Sequence, residues 1–241
     1  MIATFINCGL ILLGSLLGLL FRNRISPRFT AIVTQGLALC VLAIGFTSAT
    51  ATGNTLCVIV CLVAGCLLGE ALRIEERLDR LGETLRTRLI REKEGGNSRF
   101  TEGFVTASVL FCVGAMAVMG SIEAGVNGNY SILISKSVID GITAITFAAA
   151  MGIGVAFSAI PILLYQGGLT LLASSVAIFL TDSMITEMSA VGGVIIVGIG
   201  INMLGFSSKK LKVGNMLPAI FLPLLYLPAE TGLLGLFSRL F

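Results

Sequence analysis

Histidine is absent from the 241 residues, and charged residues account for only 12% of them. The first absence removes the HExxH metalloprotease motif and the commonest partner of cysteine in zinc and haem sites. The six cysteines, Cys8, Cys40, Cys57, Cys61, Cys66 and Cys112, all lie in apolar runs and make no CxxC pair. Free buried thiols acting as small hydrophobes are the plain reading. There is no GxSxG elbow, no carboxylate dyad within one apolar run, and no Walker or Rossmann glycine pattern between a strand and a helix. Nucleophilic hydrolysis and ATP-driven pumping therefore have no support. The expectation is a protein that is not an enzyme, with no catalytic residue, metal site or cofactor, and no nucleic-acid partner.

The scarcity of charge points to the solvent. A soluble domain carries about 25% charged residues, whereas this chain has 56% hydrophobic residues and a mean hydropathy of +1.00. Several runs approach the ~20 residues that cross hydrocarbon. The sequence predicts an all-α membrane protein, a polytopic bundle of about eight transmembrane helices with one cytoplasmic amphipathic helix, forming a single domain over 1–241. Met1 to Leu20 has neither a basic start nor a small-residue cleavage site, so it is read as the first span and not as a removed signal peptide.

Segment one, Ile2 to Phe21, carries Gly9, Gly14 and Gly18 close to the spacing that lets helices approach, and ends at Arg22, Arg24 and Arg28. Segment two runs from about Ala31 to Ser48 with Gln35 near its start, and segment three from about Leu56 to Leu68. From Glu70 to Glu102 there are eight basic and eight acidic residues. Leu72, Ile74, Leu78, Leu81, Leu85 and Leu89 form a helical stripe there, with Glu76 and Arg80 spaced for an i,i+4 contact and a loop at Glu94-Gly95-Gly96-Asn97-Ser98. This 70–102 stretch is read as an amphipathic helix and linker, lying at the interface or against another copy.

Segment four, Phe104 to Gly120, and segment five, Ile132 to Ala150, flank a connector at Ser121 to Ser131. Segment six, about Val155 to Leu180, is expected to break at Pro161 or at Gln166-Gly167-Gly168. Asp182 and Glu187 fall in the loop before segment seven, Val191 to Phe206, which ends at Ser207-Ser208 and Lys209 to Lys212. Segment eight, Val213 to about Leu234, holds Pro218, Pro223 and Pro228 and is expected to be irregular; if it is re-entrant the count is seven.

Of the sixteen basic residues, fourteen lie in 22–28, 73–99 and 209–212, connectors that an eight-span count puts on one side. That side is expected to be cytoplasmic, with the N-terminus outside. Gly45-x7-Gly53-Asn54 recurs as Gly120-x7-Gly128-Asn129, a faint parallel repeat.

Segment five contains Lys136 and Asp140, four apart on one helical face. An ionisable pair within a span is a functional-site hypothesis by default. It is read as the centre of an ion or polar-solute path, with Ser137 beside it; the structural alternative is a permanent strut. Glu70 and Glu102, at span ends, are expected to be interfacial. Asn7, Gln35, Gln166, Asn202 and Asn215 are amides that either bond between helices or line the path. Glu123 and Asn129, at the outer connector, complete the candidates.

A resemblance adds to this. Val109-Leu110-Phe111-Cys112, Gly120, Glu123-Ala124-Gly125, Asn127-Gly128-Asn129-Tyr130-Ser131-Ile132-Leu133-Ile134 and Lys136-Ser137 through Asp140 resemble the hallmark of the YqgA/YdfK-like bacterial membrane proteins. The likeness extends to Phe5-Ile6-Asn7, Gly69-Glu70, Ile160-Pro161 with Gln166, Ala190-Val191-Gly192-Gly193 and Asn215-Met216-Leu217-Pro218-Ala219, nearly the whole chain in order. It implies a bacterial inner-membrane location and attaches no activity. The sequence departs at Gly128-Asn129, where the family pattern has Gly-Asp, so no carboxylate is available there.

The functional expectation is a small transporter or channel-like protein for an ion or polar solute, in contact with the lipid bilayer and able to form homo-oligomers through its glycine faces. The alternative is a non-transporting scaffold or regulatory protein acting through its cytoplasmic helix.

Overall fold

The computed structural model describes residues 1–22, 27–89, 97–113, 115–176, 178, 180–205 and 209–240. Arg24, Glu94-Gly95-Gly96 and Ser207-Ser208 lie outside the described residues, as do the side chains of Leu81, Leu85, Leu89, Asn97 and Ser98. The described chain is all-helical: α1 (Ile2–Arg22), α2 (Pro27–Thr50), α3 (Thr55–Ala71), α4 (Ile74–Leu89), α5 (Asn97–Cys112), α6 (Ala115–Val126), α7 (Ser131–Met151), α8 (Gly154–Phe157), α9 (Ala159–Leu171), α10 (Ala173–Val176), α11 (Asp182–Leu204), a 3₁₀ helix (Val213–Phe221) and α12 (Pro223–Leu240). Among the described residues, five helices are long and apolar enough to cross a membrane, or up to eight if each bent pair is one span. It is a polytopic helical membrane protein.

Close backbone approach fixes which helices pair. A Cβ at Gly14 would strike the carbonyl of Gly141, and one at Gly18 that of Ile145, so α1 and α7 run side by side in the same direction. Gly193 meets Ala49 and Gly45 meets Val197, which sets α2 antiparallel to α11. Gly65 against Ala219 and Gly69 against Asn215 do the same for α3 and the 3₁₀ helix. Lipid supplies no hydrophobic drive between helices, so this intimate van der Waals contact between small residues is what associates them. α11 is the central helix, with 72% of its apolar window buried against 17% for residues 31–50 of α2. These directions are the ones eight alternating crossings require. They gather Arg22, Glu70, Glu102, Gly152 and 209–215 at one end, and 52–54, Glu187 and Glu230 at the other.

Four sequence expectations are corrected. The fourth span is not one run: α5 and α6 meet at a 57° bend, and α6 continues through Ser121 to Val126, which shortens the connector to 127–130. The sixth span does not break at Pro161 or at Gln166-Gly167-Gly168. Gly154–Leu171 is one continuous candidate span; Ser158 keeps a right-handed helical conformation and only tightens locally, its N–H bonding the Val155 carbonyl at 3.1 Å, and the helix ends at Leu172. Pro161 follows directly on this tightened turn, which takes up the donor it lacks without interrupting the span. Asp182 and Glu187 lie in α11, not in a loop, because Thr181 accepts the Met184 N–H at 3.2 Å and caps the helix early. Finally, the amphipathic segment begins at Ile74, after α3 has carried Gly69 and Glu70 into its own last turn. The last span is irregular as expected, a 3₁₀ helix bent by 42° from α12, and Glu76 and Arg80 pair at 3.6 Å.

Candidate functional site

Lys136 and Asp140 lie on α7, and both are buried at 6% exposure. Asp140 is nine residues into the helix, about 14 Å from its start at 1.5 Å per residue, about midway along the 21 residues of α7. The Lys136 ammonium donates to Asp140 Oδ2. The same oxygen accepts from Asn7 Nδ2 on α1 at 3.1 Å. The second Asn7 Nδ2 hydrogen bond goes to Gln166 Oε1 on α9 at 3.0 Å, and Gln166 Nε2 donates to Thr4 Oγ1 at 3.4 Å. Three helices distant in sequence thus share one closed polar cluster in an apolar core.

The order of donors in this chain is fixed by chemistry. Turning the Asn7 amide over would aim its oxygen at a carboxylate and at the Gln166 oxygen, four lone pairs facing with no proton between them. In the arrangement found, Asn7 Oδ1 is buried and without a partner among the described residues. A buried acceptor left unmade costs roughly 1–3 kcal/mol, so this atom is an open position beside an ion pair.

The other candidates separate. Ser137 is buried but donates to the Leu133 carbonyl of its own helix at 2.6 Å. Asn129 is exposed and accepts the Ser131 N–H at 3.1 Å, a turn-forming contact. Glu123 is half-buried on α6, with its backbone carbonyl accepting from Asn127 and Asn129. Gln35 is exposed. Asn202 exchanges two 2.8 Å hydrogen bonds with the Leu211 backbone, and Asn215 donates to Glu70 at 2.6 Å and accepts the Glu75 N–H at 2.7 Å. Both amides therefore organise the 209–215 connector. Glu70 pairs with Lys212 at 2.9 Å and Glu102 with Lys210 at 2.6 Å, so both carboxylates tie helix ends to the 209–212 connector. The six cysteines are free.

Two features escaped the sequence reading. Thr4 belongs to the cluster, although a threonine one turn before Asn7 gives no signal on its own. Glu187, 3% exposed, accepts from Thr52 Oγ1 at 2.6 Å, Gly53 N at 2.8 Å and Asn54 N at 3.0 Å. It is a satisfied anchor for the 51–54 turn. Thr181-Asp182-Ser183 is the capping signal that would have placed it in a helix.

Residues 2–227 match the family described as "Protein of unknown function (DUF554)". The chain belongs to this family. It is 30% identical over 227 residues to "Uncharacterized membrane protein YdfK" of Bacillus subtilis (strain 168), covering 92% of this chain and 94% of that protein. It is 33% identical over 223 residues to "Uncharacterized protein YqgA" of Escherichia coli (strain K12), with the same coverage. The resemblance read from the sequence is therefore correct over nearly the whole chain. No solved structure matches.

Proposed function

We propose that this family member moves an ion or small polar solute across a bacterial inner membrane, with Lys136 and Asp140 as the charged centre of its path. The observation that supports this is the buried pair itself, held by amides from two other helices, with the unpartnered Asn7 Oδ1 beside it. A buried charge has to be paired. An incoming cation takes the place of the Lys136 ammonium on Asp140, or an incoming anion takes the place of Asp140 on Lys136, and the pair re-forms after release. The basic end is cytoplasmic and the N-terminus outside, from the bias of Lys and Arg.

The scaffold reading has less behind it. The first turns of α4 are engaged by the chain itself, since Glu75 accepts the Gly214 N–H at 2.6 Å and Leu78 packs near Gly214.

The test is thermal stability of the purified protein and of Asp140→Asn across monovalent cations, amino acids and small organic acids at several pH values, followed by liposome flux. A solute that raises the midpoint of the wild type and not of the variant supports the reading through mass action. A panel that moves neither, with a variant that merely melts lower, leaves the pair a strut and sinks the transport reading.

A further inference from the structure

The basic end of the bundle encloses a cavity of about 570 Å³ between α4, α5, α11 and the 210–213 connector, and no residue of the Lys136–Asp140 cluster lines it. Small-molecule sites occupy roughly 300–1,000 Å³. Its charges are unevenly matched. Lys210 is taken by Glu102 at 2.6 Å, and Lys212 by Glu70 at 2.9 Å. Glu75 accepts the backbone N–H of Gly214 at 2.6 Å, and the Asn215 N–H and the charge of Lys212 also act on it. Asp79, one turn further along α4 and also lining the cavity, makes no hydrogen bond or ion pair among the described residues. An independent feature points into the same space. The Thr106 hydroxyl, on α5, lines the cavity at 3% exposure and has no hydrogen-bond partner among the described residues. The oxygen is open to the cavity and is an acceptor for whatever occupies it. The remaining wall, Val105, Ile199 and Met203, is apolar.

We infer that this cavity binds a small organic cation, a primary ammonium compound whose head lies between Glu75 and Asp79 and whose apolar body rests on Val105 and Met203. The ammonium has three hydrogens to give, and the two carboxylates and the Thr106 hydroxyl are three acceptors. An anion is disfavoured because both lysines already hold carboxylates at hydrogen-bond distance while Asp79 holds no cation among the described residues. A divalent metal is disfavoured because calcium takes 6–8 oxygens and magnesium a full octahedron, and the apolar wall offers none. Burial and the charge of Asp79 both hold the Glu75 carboxyl above its usual range, a strain that a bound cation relieves.

The experiment is calorimetric titration of the detergent-purified full chain with n-propylammonium chloride, with n-propanol and potassium chloride as controls. Saturable one-to-one binding of n-propylammonium is expected, with no saturable binding of n-propanol. Asp79→Asn, at an exposed position without partners, is expected to keep the thermal midpoint and weaken binding about tenfold or more. Thr106→Val, nearly isosteric, is expected to weaken it several-fold. Asp140→Asn is expected to leave the affinity unchanged, which separates this cavity from the transport path. The inference is overturned by an absence of saturable binding, by affinities within about twofold for Asp79→Asn, by n-propanol or potassium binding as well as the ammonium, or by loss of binding in Asp140→Asn.

Discussion

Lys136–Asp140 and Lys212–Glu70 are both lysine–carboxylate pairs, yet they stand in opposite surroundings. The first has side chains 8% exposed on either partner, the second 61% on either partner. In water the separated charges of an open pair are solvated almost as well as the pair, so little rides on the contact. In the core each charge has lost its hydration and depends on the other, so removing one partner strands the survivor. The same chemistry is thus a detail at the membrane edge and a commitment at its centre.

The largest expected effect follows from that commitment. Lys136→Met strands Asp140 and should cost roughly 3–5 kcal/mol, the cost of breaking a buried pair, read as a fall in the midpoint of detergent-solubilised protein. A smaller loss on the scale of a surface pair would erase the contrast. Replacing both partners, Lys136→Met with Asp140→Leu, should restore most of that stability, because a well-packed apolar pair often equals a buried ion pair, while the solute signal stays lost. If transport survives the double replacement, the pair is not its centre.

Next in size is a test of the packing that brings the cluster together. Gly14→Ala drives a methyl onto the Gly141 carbonyl and should cost about 1–3 kcal/mol. Gly9→Ala, five residues earlier on the same helix with nothing within 4 Å of its Cβ, should change the midpoint by no more than about 0.5 kcal/mol equivalent. Equal effects at the two glycines would contradict the α1–α7 contact.

The smallest effects belong to the exposed end. Glu70 holds the Lys212 ammonium above its usual value of 10.5. A raised folded value means that the contribution is present below pH 10.5 and goes as pH rises through the folded value. Lys212→Met should therefore leave the midpoint unresolved from wild type at neutral pH, and molar salt should abolish any difference. Glu75 has a different sign from the usual carboxylate. Its folded value is raised by burial from 4.5, so its contribution is present below pH 4.5 and lost as pH rises through the folded value. Glu75→Gln should flatten that part of the midpoint–pH curve; an unchanged slope would show that the site is better solvated than its burial implies.

The spans, the basic and non-basic ends and the i,i+4 pair were legible because they are local: hydropathy over 20 residues and a 3.6-residue period need no partner. The breaks were less so. Pro161 and the Gln166-Gly167-Gly168 run looked like interruptions, yet that span is continuous and the chain bends between α5 and α6. A bend is set by how a helix packs against its neighbours, which no local pattern encodes. The role of Glu187 was missed because the donors to its carboxylate lie 133 to 135 residues away, in the 52–54 turn.

By itself, then, the sequence determined that the chain lives in lipid and crosses it several times, which connectors carry the cations, and that Lys136 and Asp140 share a face. The tertiary structure alone decided that Asn7, 133 residues from Asp140, and Gln166, 159 residues from Asn7, close around that face, and that Asn202 and Asn215 do not. The physical reason is that a polar side chain in lipid bonds to whatever its helix is packed against. Helix partners are chosen by steric fit at sites such as Gly14 and Gly141, a long-range match that no local pattern encodes.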